Sequence, residues 1–235
     1  MENIGFFRGT TLMQTSGNIG GARSVFVKLK GIKNDLVYPP FGGALINYPN
    51  GNGFKFYAGD LFYFDWDKKD GTRLYLLKTY EVLSTSGSIV NIVKNGFRHK
   101  PFVGDKLGVA PEKIGGESPS VGTITKVEVT KVDNQEVWAC TMDSALNANS
   151  GDILVEIGKE DMMLIPSINA VADCDGDIYY EGGDSSYDYN AARYLYTPAL
   201  GGIMYMDKMS PLPQCVKDVN QSKISGWFAV QPIYK

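Results

Sequence analysis

Hydrophobic and polar positions alternate along much of this 235-residue chain. In 24–30 (SVFVKLK), Val25, Val27 and Leu29 fall on one face and Lys28 and Lys30 on the other, the period of a half-buried strand. The same signature predicts strands over 54–65, 72–82, 88–94, 122–132, 136–142 and 153–158, with 227–235 returning as a last strand. Asp70-Gly71 and Asp133-Asn134 mark hairpin turns between neighbouring strands. One short helix is expected near 211–221, with Ser210 as N-cap, Pro211 at the first helical position and Gly226 beyond its end.

Three regions follow. Residues 1–53 form an extended arm, a first strand and a loop; the loop, 37–53, is saturated with Pro-Pro, Gly-Gly and Asn-Gly. Residues 54–165 form an antiparallel β-body without an internal boundary. Residues 166–235 hold an acidic Tyr-rich loop, the short helix and the terminal strand. The fold class is therefore mainly β: small antiparallel barrel or sandwich modules with an extended N-terminal arm and one short C-terminal helix.

One regularity crosses the body. Gly59-Asp60, Gly104-Asp105 and Gly151-Asp152 each stand at the edge of an apolar strand, at similar spacing. Glycine takes positive φ and aspartate caps the turn, so the pattern suits small β-barrels. Three independent turns and a degenerate repeat of β-modules both explain it.

Composition supports frequent turns: 27 Gly and 11 Pro punctuate a chain that is 43% hydrophobic. The formal charge of −3 argues against a dedicated nucleic-acid binder. No basic-then-apolar leader opens the chain and no apolar run approaches the roughly 20 residues of a membrane span. Three scattered cysteines (Cys140, Cys174, Cys215) fit neither a disulfide scaffold nor a CxxC metal site, and a reducing compartment is the simplest context. Charge is uneven, however. The first 58 residues carry Arg8, Arg23, Lys28, Lys30, Lys33 and Lys55 against Glu2 and Asp35 alone.

Candidate chemistry is sparse. His99, in FRHKPF, has no recognisable nucleophile or orienting acid nearby in sequence and reads as an exposed turn residue. Asp173, Asp175 and Asp177 superficially copy a calcium loop, but Ile178 replaces the glycine and Asp184 the bidentate glutamate that an EF-hand needs. They remain weak candidate metal ligands beside the reading of a solvated acidic loop. Gly17-Asn18-Ile19-Gly20-Gly21 lacks the Lys-Ser/Thr of a phosphate loop. No catalytic residues, metal or cofactor are therefore expected.

The runs FYAGDLFYFDWDKKDGTRLYLLKTYEV, GFRHKPFVGDKLGVAPEKIGGESPSVGTITKVEV and WACTMDSALNANSGDILVE resemble β-barrel modules of capsid-decorating and head-fibre proteins of tailed phages. The tail GGIMYMDKMSPLPQCVKDVNQSKISGWF is similar to that of auxiliary capsid proteins of crAss-like phages infecting gut Bacteroidetes. The resemblance covers roughly 54–228 and implies a non-enzymatic virion protein, made in the host cytoplasm, that binds the outer surface of the major capsid shell. Its implied partners are the major capsid protein, other head-fibre proteins and further copies of itself as a trimer or other homo-oligomer, with neither membrane nor nucleic acid. On charge and on the paired aromatics, Phe6, Phe7, Arg8, Arg23, Lys28 and Lys30 are the capsid-binding candidates. A phage-type adhesive module, stacking a host glycan on the tyrosines of 179–196, is the competing expectation.

Overall fold

A computed structural model describes residues 43–47, 54–65, 73–94, 98–178, 195–196, 198–199, 202–205, 210–220 and 228–231. Within these residues the chain is mainly β. The strands in chain order are β1 (Gly43–Leu45), β2 (Phe54–Phe56), β3 (Leu61–Asp65), β4 (Arg73–Leu76), β5 (Thr79–Ser86), β6 (Ile89–Val93), β7 (Lys106–Val109) and β8 (Val121–Val132). They continue with β9 (Gln135–Met142), β10 (Ile153–Glu156), β11 (Ala170–Val171), β12 (Gly176–Ile178), β13 (Leu195–Tyr196), β14 (Gly202–Tyr205) and β15 (Phe228–Gln231). The described helix, α1, spans Gln214–Asn220.

The chain divides into two compact units, and the first division falls between Leu76 and Leu77, inside the segment expected to be one body. The first unit collects residues 1–76, 168–209 and 224–235. Its five-stranded sheet runs β11-β3-β4-β1-β13, antiparallel except between β1 and β4, beside the pairs β12–β2 and β14–β15. Phe62, Phe64, Leu74 and Leu76 are fully buried there, and Phe56 meets Phe62 edge to face at 5.5 Å.

The second unit, 77–167 with 210–223, is built on a closed antiparallel barrel in the order β10-β5-β6-β9-β8-β7. Strands β7, β8 and β9 are successive neighbours and β10 returns beside β7, a Greek-key path. Tyr80, Val82, Val90, Ile92, Leu107, Ile124, Cys140, Met142 and Leu154 fill the interior. Alternation in each strand supplies them, because residues two apart share a face.

This barrel is two copies of one motif, a hairpin followed by a strand, related by a local twofold axis. The first copy is β5-β6-β7 and the second β8-β9-β10. Every register repeats: Thr79↔Val155, Tyr80↔Leu154 and Glu81↔Ile153 match Val121↔Gly108, Gly122↔Leu107 and Thr123↔Lys106. The bulge between Val82 and Ser84 matches that between Ile124 and Lys126. On the axis, Val90 faces Cys140 and Gly108 faces Val155.

Several elements differ from their expected form. The strand expected over 54–65 breaks at the Gly59-Asp60 turn, and that over 72–82 breaks at Leu77-Lys78. The loop expected over 37–53 contains β1, whose Leu45 is buried. The helix starts later than Pro211 because Leu212 precedes Pro213, and a residue before proline is pushed out of the helical region. The Pro213 carbonyl then accepts the first helical bonds, from the Val216 and Lys217 N–H groups. The Asp133-Asn134 hairpin forms as expected, with φ of 48° and 63°, both positive as a type I′ turn requires. The arm, the 24–30 strand, the Asp70-Gly71 turn and most of the acidic loop lie outside the described residues.

Candidate functional site

The three Gly-Asp sites fold identically. Gly59, Gly104 and Gly151 occupy the third position of a four-residue turn at φ of 92°, 94° and 89°. In each, the aspartate N–H donates to the carbonyl of the first residue: Asp60 to Tyr57, Asp105 to Phe102 and Asp152 to Asn149. The aspartate Oδ2 accepts that residue's N–H in return, at 2.6, 3.1 and 2.7 Å. Each glycine N–H also donates to the carbonyl of one buried residue on the neighbouring segment, whose own N–H donates back to the aspartate carbonyl. That residue is Ala172, Ile124 and Val82 respectively. A repeated module accounts for two of these turns, and the third shares their local form in a different sheet. Two of them are twofold mates in the barrel; the third introduces β3 in the first unit.

The twofold is broken at one end of the barrel by a buried polar cluster. Leu74, Leu76, Lys78, Tyr80 and Val82 share one parity, so Lys78 follows the apolar positions inward and its side chain is 1% exposed. Its Nζ lies 3.2 Å from Glu156 Oε2 and 3.7 Å from Asp105 Oδ1. Asp105 Oδ2 accepts the Phe102 N–H at 3.1 Å and the Tyr80 hydroxyl at 3.4 Å. Burial, reinforced by the Asp105 and Glu156 carboxylates, holds the Tyr80 phenol well above its ordinary range. At the mated end, Ser120, Gly122, Asp152 and Val109 stand where Lys78, Tyr80, Asp105 and Glu156 stand here.

His99 is fully buried beside this cluster, which corrects the reading of an exposed turn residue. Its Nδ1 accepts the Thr79 N–H at 3.0 Å, and its ring stands edge to face with Tyr80 at 6.4 Å. Arg98 reaches Glu81 at 2.7 Å and Lys100 sits over the Phe102 ring, while the imidazole between them is buried.

Of the sequence candidates, Asp173, Asp175 and Asp177 fall within the described residues. Phe6, Phe7, Arg8, Arg23, Lys28 and Lys30 lie outside the described residues. Asp175 Oδ1 accepts the Ala58 N–H at 2.7 Å, Asp173 is half-buried, and Asp177 pairs with Lys55 in the β12–β2 ladder. Among the described residues, no three His, Cys, Asp or Glu side chains are grouped to hold a metal ion.

Sequence reasoning passed over Lys78 and Glu156 and read Asp105 only as a turn former. The available signal was a lysine on the apolar parity of LYLLKTYEV. Chemically, the cluster offers an amine between two carboxylates, with a phenol and a backbone N–H on one carboxylate oxygen. No helix among the described residues is long and apolar enough to cross a membrane. Comparison with protein-family models, with curated proteins and with solved structures found no match.

Proposed function

We propose that this chain is a structural virion protein that binds the outer surface of a major capsid shell and decorates or reinforces it, without catalysis. The observation that carries the reading is where the resemblance falls. The segments FYAGDLFYFD, FVGDKLGV and SGDILVE that resemble capsid-decorating modules are those that fold into the three equivalent Gly-Asp turns. A twofold barrel closed on itself leaves its function to exposed loops and attached segments, as adhesion requires. The basic, aromatic stretch of residues 1–30 is the proposed anchor on an acidic shell. Many copies on one lattice gain avidity from contacts that are individually weak.

Sedimentation of the purified protein with shells assembled from the major capsid protein tests this reading, with a glycan array as its counterpart. Saturable shell binding with silence on the array supports decoration. Saturable glycan binding without shell binding identifies the adhesive module instead.

A further inference from the structure

We propose that Lys78 and Asp105 join through an intramolecular amide bond, with Glu156 as the proton relay. The inference rests on the barrel alone and stands whether or not the protein decorates a capsid.

Three observations converge. The Lys78 amine is held in the barrel interior with Asp105 Oδ1 at 3.7 Å and Glu156 Oε2 at 3.2 Å, so amine, acceptor and relay are already assembled. Asp105 presents its two oxygens differently. Oδ2 is gripped by the Phe102 N–H and the Tyr80 hydroxyl, while Oδ1 faces the amine. The reacting pair is buried and the relay half-buried, with side-chain exposures of 1%, 10% and 17% for Lys78, Asp105 and Glu156. Burial disfavours separated charges, so it favours conversion of an ammonium–carboxylate pair into a neutral amide.

The step balances without any co-reactant. Lys78 Nζ attacks Asp105 Cγ; the Nζ–Cγ bond forms and the Cγ–Oδ1 bond breaks. Two of the three ammonium protons pass from Nζ to Oδ1 through the Glu156 carboxylate, which ends as it began, and Oδ1 leaves as water. Oδ2 remains as the amide oxygen. The charge it carries in the tetrahedral intermediate is met by the two donors already aimed at it. Nothing is oxidised or reduced. The mated turn is a built-in control: Asp152 has Ser120 and Val109 where Asp105 has Lys78 and Glu156, so it has neither amine nor relay.

Intact mass of the denatured full-length chain, measured fresh and after prolonged incubation of the folded protein, is the test. The expected mass is lower than that of the sequence by one water. Proteolysis should release a branched peptide joining the Lys78 and Asp105 segments, with no tryptic cleavage after Lys78. Lys78→Arg should restore the full sequence mass, and Glu156→Gln should abolish or greatly slow the loss. A folded wild-type chain that keeps its full mass overturns the proposal, and needs no variant to fold. So does a water deficit that persists in Lys78→Arg, or a branched peptide that joins Lys78 to Glu156.

Discussion

Val90 and Cys140 face each other across the seam where the barrel's two copies meet, and each is the other's twofold mate. The axis passes between them and, on the opposite wall, between Gly108 and Val155. Both members of the first pair are fully buried. A two-copy barrel built this way needs equivalent turns at equivalent places, and the Gly-Asp turns supply them.

Replacing Gly104 or Gly151 by alanine should destabilise the protein. Neither new methyl group meets any atom within 4 Å, so the cost is conformational, from φ of 94° and 89°. It should amount to about 1–2 kcal/mol per site. Asp152→Ala should cost about 1 kcal/mol through the lost bond to the Asn149 N–H. Urea unfolding of the single variants measures each. Equal losses at the two glycines would agree with equivalent turns.

The turns were legible in the sequence because their chemistry is local: glycine supplies the positive φ and aspartate the reciprocal bond three residues back. The twofold was not, because equivalent positions share a backbone and not a side chain. Tyr80 is mated with Gly122, and Val90 with Cys140. The barrel cluster was hidden for a related reason. Lys78, Asp105 and Glu156 come from three different strands or turns, and only closure of the barrel brings them together.

Compared with wild-type chain in which no amide has formed, Lys78→Met alone should lower stability by about 3–5 kcal/mol, since it leaves the buried Asp105 carboxylate without its cation. Adding Asp105→Asn and Glu156→Gln should recover part of that loss. Strict additivity of the three changes in denaturant melts would show that the groups do not act as one cluster.

Cys140 should be inert in the folded state. Burial first, and the Asp105 carboxylate second, push its thiol up to about 12 from 9.0. A raised folded value favours the protonated form. Its contribution to stability is therefore full below pH 9.0 and is lost as pH rises toward about 12. Cys140→Ala should flatten the decline of melting temperature across that window. Alkylation of the native protein should reach half-buried Cys174 first, with Cys140 and Cys215 reacting only on unfolding. Rapid native labelling of Cys140 would contradict this.

Chelation should leave the melting temperature unchanged. Asp175→Ala should cost about 1 kcal/mol by removing the bond to the Ala58 N–H, with calcium giving no rescue. A drop in melting temperature on adding EDTA, reversed by calcium and abolished by Asp175→Ala, would instead make the Asp173–Asp177 loop a cation site.

The most direct measurement of the proposed role is cryo-electron microscopy of shells that lack this protein, incubated with a saturating amount of the purified chain. Density for the six-stranded barrel at repeated positions on the outer surface is the predicted result. A chain lacking residues 1–23 should keep the circular dichroism of the β-body and show reduced occupancy. Undecorated shells at saturating full-length protein would contradict the account.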